Sequence, residues 1–258
     1  VLMNLQQTIH RVSHDIKRRK LEVLRVIDLT PRMRRITLGG PQLQGFVSLG
    51  TDDHVKLIFA QTAEEQAALE TFVPGSPSDG PSPAMRDYTP RRHDAEAGEL
   101  DIDFVLHGEG PAATWAAQAK PGQTLYIAGP RGSMIVPDIF DSYLLIGDET
   151  ALPAIARRVE SLPANRSALV VVEIADSSEQ QTLHSLAQVD VIWIVRGEQD
   201  LVKVTRRLEM PEGKLYAWVA TEAALSRKIR RVLLNEFGLE ESLVKTVGYW
   251  RLNEADNG

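Results

Sequence analysis

The chain has no cysteine among its 258 residues. That excludes disulfides, thiolate nucleophiles and cysteine-ligated iron–sulfur clusters together. Any redox chemistry must then be carried by an organic cofactor. Long apolar runs are missing too, and no stretch of the sequence is long enough to span a bilayer. The opening residues, VLMNLQQTIHRVSHDIKRRK, lack the apolar centre and cleavage pattern of a secretory signal, so a cytoplasmic location is expected. Histidines are few. His10 and His14 have the spacing of a helical metal pair, but no third ligand lies near them, and no metal site is expected. No Ser-His-Asp grouping carries a nucleophile-elbow signature.

Charge is present but uneven. The net charge is −6, yet the first 35 residues hold nine Lys/Arg against three acids, leaving −12 on the remainder. A solvated basic face beside the first strand accounts for this, and no nucleic-acid motif accompanies it, so no nucleic-acid partner is expected. The first half reads as strands: 21–29, 33–40, 53–60, 85–90, 99–107 and 123–130 alternate and end at turn residues. They predict a six-stranded antiparallel β-barrel, with an exposed loop in the Pro/Ser/Gly-rich part of 61–84 and one helical interruption at GPAATWAAQAK. The second half changes period. Apolar strands at 142–148, 167–176, 189–195, 215–221 and 245–250 alternate with helical patterns, notably 150–162 and 222–238, which predicts an α/β domain with a parallel sheet. The expected division is 1–138 for the barrel and 139–258 for the α/β domain.

Three stretches carry candidate chemistry. In MRDYTPRR (85–92), a strand places Arg86 and Tyr88 on one face, with Thr89 beside them and Pro90 ending the strand. In HGEGPAATWA (107–116), glycines precede Pro111, and the first-turn N–H groups at Ala112 to Thr114 form an anion site at a helix start. An arginine on a neighbouring strand and this helix start together suit the two phosphates of a dinucleotide, with Tyr88 where its flat ring would lie. An ordinary helix cap and a half-buried barrel tyrosine are the alternatives. In IGDETALPAIARR (146–158) the strand-to-helix turn sits at the usual ligand edge of a parallel sheet, but it is no G-x-G-x-x-G loop, and Asp148 and Glu149 repel phosphate. A capped helix reads equally well there.

Taken in order, these residues resemble a known family. R-x-Y-T (Arg86, Tyr88, Thr89) is similar to the flavin-binding motif of the ferredoxin-reductase-like superfamily. More narrowly, MRDYTPRR, DFVLHGEGPAATWA, AGPRGS, GDETALPAIARR and the late GYWR resemble the siderophore-interacting protein family of ferric-siderophore reductases, over about residues 18 to 251. The resemblance implies a barrel that binds FAD, an NAD(P)H-binding-like second domain, and reduction of iron(III) held by a siderophore. It implies NADPH or NADH as electron donor, or a ferredoxin-type protein; a monomer is expected. Carried over by residue, Arg86 would hold the FAD phosphate, Tyr88 would stack on the isoalloxazine and Thr89 would approach its reactive edge. Asp103, Phe104, Val105 and His107 would line the flavin and ribityl chain, and Gly110, Ala112, Ala113, Thr114 and Trp115 the pyrophosphate end. Gly147, Asp148, Glu149 and Thr150 would face the reductant side, and Trp250 and Arg251 would approach the flavin. Members often carry Gly-Glu where this chain has Thr221-Glu222, so the donor stays open. A general flavin or ferredoxin reductase and a non-catalytic siderophore carrier are the competing readings.

Overall fold

A computed structural model describes residues 8–71 and 82–252. The chain divides into two units. One takes Val12–Leu49 and Asp53–Ser133; the other takes the chain from Met134, with Gly50–Asp52 and the segment ending at Arg11. The short strands β1 (His10–Ser13) and β9 (Gly132–Ile135) fall where the chain passes from one unit to the other.

The first unit is a curled antiparallel sheet. Its strands are β2 (Arg18–Thr30), β3 (Met33–Gly39), β4 (Val55–Phe59), β5 (Ala84–Tyr88), β6 (Arg92–Asp94), β7 (Glu99–Val105) and β8 (Thr124–Ala128), ordered β5-β4-β8-β2-β3-β7-β6. That is one strand more than the sequence led us to expect. The addition is β6, whose three residues pair back onto β7 across a tight turn that Gly98 makes at φ 67°. So short a strand shows no alternation to read. Leu21, Val23, Ile36, Leu38, Val55, Leu57, Leu100, Ile102, Phe104, Leu125 and Ile127 alternate along five of the strands and fill the interior. Two helices accompany the sheet, α1 (Ala63–Thr71) after β4 and α2 (Pro111–Gln118) between β7 and β8. α1 lies in the first part of 61–84, ahead of the Pro/Ser/Gly-rich part in which a loop was expected, and residues 72–81 of that part lie outside the described residues.

The second unit is a five-stranded parallel sheet. Its elements are β10 (Ser142–Asp148), α3 (Leu152–Glu160), β11 (Ser167–Ile174), β12 (Gln188–Val195), α4 (Leu201–Arg206), β13 (Leu215–Glu222), α5 (Ala223–Arg231) and β14 (Val244–Trp250). The strand order β12-β11-β10-β13-β14 reverses between β10 and β13, a switch point where ligands commonly bind. All seven residues of β10 are buried, as a central parallel strand requires. Tyr143 and Leu145 pack with α3 on one face, while Leu144 and Ile146 pack with residues of α4 and α5 on the other. Gly50–Asp52 joins this unit through Asp52, whose carboxylate accepts from Lys245 Nζ (2.8 Å) and Trp218 Nε1 (3.2 Å). Burial opposes ionisation of Asp52, but Lys245, Trp218 and Arg158 outweigh it and hold its pKa below the ordinary value. No helix among the described residues is long and apolar enough to cross a membrane.

Candidate functional site

On β5 the alternation runs as the sequence predicts. Arg86 and Tyr88 turn inward and are half-buried, whereas Met85 and Asp87 are exposed. Asp87 pairs across the sheet with Lys56 at 2.8 Å, and the Arg86 guanidinium donates to the Met85 carbonyl at 2.9 Å. The Tyr88 ring packs 4.7 Å from Phe104, Phe104 lies 5.6 Å from Trp115, and Trp115 lies 5.8 Å from Phe59. Tyr88 is therefore the outermost ring of an aromatic row that runs into the core. Burial pushes its phenol up to about 12, against a smaller opposing effect of Arg86, so it is neutral at any physiological pH. Thr89 follows the strand and is only 7% exposed, which limits any ligand contact to that remnant.

Among the described residues β5 pairs only with β4, and β7 beyond Asp101 pairs only with β3. Tyr88 and Phe104 thus meet where two strand edges leave the sheet open. Strand alternation splits the residues assigned to β7. Phe104 has no exposed surface and backs Tyr88. Asp103 lies on the other face and binds Arg35 through two hydrogen bonds, of 2.7 and 2.9 Å, with Arg91 3.9 Å away. Val105 ends the strand half-buried, and His107 is exposed in the turn beyond it, its N–H donating to the Val105 carbonyl. Phe104 therefore supports the site from behind, and the Asp103 carboxylate is already engaged.

Gly108, at φ 67°, and Gly110 lead into α2, with Pro111 in the first turn. The helix start has no side-chain cap and no acid in its first turn. The Thr114 N–H donates to the Gly110 carbonyl and its hydroxyl to the Glu109 carbonyl, so the anion-facing N–H groups are those of Ala112 and Ala113. Trp115 carries the helix onto the aromatic row.

In the α/β unit, Gly147 has a packing reason. A Cβ there would stand 2.6 Å from the Ala151 Cβ and 3.1 Å from both Ala220 O and Ile155 Cδ1. Asp148 is buried and accepts from Thr150 N (2.9 Å), Thr150 Oγ1 (2.5 Å) and Trp250 Nε1 (2.8 Å). Burial raises its pKa above the ordinary value in spite of these donors. Glu149, also buried, accepts from Arg196 at 2.6 Å, and Arg196 reaches Glu173 at 3.0 Å. Burial works against the Arg196 charge, but the two carboxylates outweigh it. Trp250 is 39% exposed and Arg251 follows it on the surface. Glu222 caps α5, accepting from Ala224 N and Leu225 N, so the Thr221-Glu222 pair serves the helix start.

A carboxylate–guanidinium lattice across β3, β6 and β7 was not anticipated. Arg92 binds Asp101 (2.8 Å), Glu99 (2.6 Å) and Asp94 (3.2 Å), and Thr37 donates to Asp101 at 2.6 Å. The pattern L-D-I-D-F on β7 was its one sequence signal. Among the described residues no group of three His, Cys, Asp or Glu side chains is placed to hold a metal.

A half-open antiparallel barrel with Arg-x-Tyr-Thr at its mouth, followed by a parallel α/β sheet, defines the two-domain flavoprotein reductase class. Comparison with known proteins narrows it. Residues 22–134 match the siderophore-interacting FAD-binding domain and residues 140–253 match the siderophore-interacting protein domain. The chain belongs to the siderophore-interacting protein family, and its barrel is an FAD-binding domain. It is 34% identical to the NADPH-dependent ferric-chelate reductase of Escherichia coli strain K12, over 93% of this chain and 95% of that one. It is 30% identical to the ferric vibriobactin reductase ViuB of Vibrio cholerae, over 93% of both. The crystal structure of a siderophore utilization protein from T. fusca superposes with a TM-score of 0.84 at 38% identity, over 95% of this chain and 97% of that one. The residues at the barrel mouth suit FAD: a ring to lie against, a cation on the same strand face, and an uncapped helix start free of acids.

Proposed function

We propose that this protein is an FAD-dependent reductase that converts iron(III) held by a siderophore to iron(II), releasing the metal in the cytoplasm. The observation that carries the reading is the 34% identity, over nearly the full length of both chains, to an NADPH-dependent ferric-chelate reductase. NADPH is accordingly the first donor to test, followed by NADH and a reduced ferredoxin-type protein.

In this reading Arg86 and the N–H groups of Ala112 and Ala113 hold the cofactor's phosphates, by charge and by the helix end. Tyr88 supports the flat ring, kept in place by Phe104 and Trp115 behind it, and Thr89 meets the ring's edge. Gly147 to Thr150, with Trp250 tied to Asp148 and Arg251 beside it, form the donor-facing side. FAD, when bound, accepts electrons in pairs and passes them on singly, which couples a hydride donor to a one-electron metal. The Tyr88 phenol keeps its proton throughout, so it adds no charge beside the ring. Siderophore oxygens are hard ligands that hold iron(III) far better than iron(II), so reduction alone loosens the chelate. The protein then needs no iron ligand of its own.

The test is steady-state turnover of FAD-loaded protein with each donor, several ferric siderophores and an iron(II) trap. Donor-dependent colour from the trap is expected with at least one pair; its absence with every pair removes the reductase reading.

A further inference from the structure

Arg19 stands apart in the barrel unit. It lies on β2, where alternation turns it inward with Leu21 and Val23. Only 5% of its surface is exposed, yet no acid among the described residues forms an ion pair with it. Its Nε has no hydrogen-bond partner. One terminal N–H reaches the Lys17 carbonyl at 3.5 Å, the outer limit of a hydrogen bond, and the guanidinium centre lies 5.5 Å from the Phe46 ring. Burial pushes its pKa down, with no carboxylate acting the other way. One ring contact is far smaller than the desolvation penalty of an unpaired buried ion. Such a group is stable at its post when an anion completes it.

The space for that anion is present. Arg19 lines a cavity of about 310 Å³ together with Ser13, His14, Lys17, Gly129 and others, and Asp15 is the one acid in the lining. His14 is fixed by the Ser133 hydroxyl at 2.7 Å. The cavity lies at the same end of the sheet as Tyr88. Arg18 pairs with Ala128, Ala128 with Lys56 and Lys56 with Asp87, so β2 is three strands from β5, about 14 Å at ordinary strand spacing. None of its lining residues belongs to the Arg86 and α2 site, which has its own cation and helix start.

We infer that the Arg19 cavity is a second oxyanion-binding site, in which the guanidinium takes a phosphate or carboxylate group and Lys17 adds charge at its wall. At about 310 Å³ the cavity has room for a free oxyanion and for an organic anion that carries the same group.

The test is calorimetric titration of the FAD-loaded full chain with inorganic phosphate and, separately, citrate, at matched ionic strength in a chloride buffer. Saturable binding of at least one probe is expected, weakened about tenfold or more by Arg19→Met. A response to phosphate alone assigns a phosphate ligand, to citrate alone a carboxylate, and to both the shared oxyanion chemistry. Flavin content is read alongside, so loss of cofactor is told apart from loss of anion. In buffer without either probe, Arg19→Met unfolds at or above the wild-type temperature, because an unpaired ion is replaced by an apolar chain of similar length. Should Arg19→Met fail to fold, Lys17→Gln, at an exposed position, is expected to weaken binding in its place. No saturable binding by the wild type, or undiminished binding in the folded variant, overturns the inference.

Discussion

Truncating Tyr88 separates two roles that its position combines. The ring is half-buried, 4.7 Å from Phe104, and it ends an aromatic row in which Phe104 and Phe59 are buried and Trp115 is partly so. Removing a fully buried aromatic costs about 3–5 kcal/mol, so a half-buried one should cost the barrel about 2 kcal/mol. Stacking of a flat heterocycle on an aromatic side chain is worth about 1–3 kcal/mol by alanine substitution, which raises the FAD dissociation constant roughly 5- to 150-fold. Tyr88→Phe keeps the ring and loses only a neutral hydroxyl, so its affinity should stay within about threefold of wild type. The assay is FAD titration of apoprotein, followed by flavin fluorescence, with thermal unfolding of each apoprotein in parallel. If Tyr88→Ala unfolds earlier but binds FAD as tightly as wild type, the tyrosine is barrel packing and its place in the cofactor site is refuted.

Arg86→Ala should weaken FAD binding about tenfold while the apoprotein's unfolding temperature barely moves, since the side chain is half-buried and supplies charge; unchanged flavin content after purification removes Arg86 from the site. Gly147→Ala should destabilise the α/β unit by about 1–3 kcal/mol through the clash with Ala151, measured by urea unfolding. A variant as stable as wild type would show that α3 can shift to make room. Hydrogen bonds from Arg25 and Arg92 hold the Glu99 carboxyl at about 2 in the folded protein against an ordinary 4.5. Its contribution is therefore complete above pH 4.5 and lost as pH falls toward 2, so Glu99→Gln should flatten the acid limb of a stability–pH curve. Asp148 acts in the opposite sense. Burial raises its folded pKa, so stability falls as pH rises from the ordinary value of 3.8 through the raised one, and Asp148→Asn should remove that slope.

Much of this was legible in the sequence because its signals are periodic. β10 spans the seven residues that its apolar run predicted, and Arg86 and Tyr88 share a face because a strand allows nothing else. β6 escaped because three residues show no period, and α1 because its alanines and single leucine make no apolar stripe, with Leu69 its one buried residue. The split of 103–107 between the two strand faces was readable in principle. The ion pair that holds Asp103 was not, since Arg35 lies 68 positions away, and the one between Arg92 and Asp101 depends on the unforeseen strand β6. Likewise Asp148 could be placed at a turn, but not in the grasp of a tryptophan 102 positions later.

The most direct test of the central claim is a single turnover under anaerobic conditions. FAD-loaded protein is bleached with a stoichiometric amount of donor, then mixed with excess ferric siderophore and an iron(II) trap. The flavin should regain its colour while about two iron(II) are trapped per flavin, because each two-electron carrier serves two one-electron acceptors. Flavin that stays bleached beside the chelate, or regains its colour with no iron(II) trapped, contradicts the account.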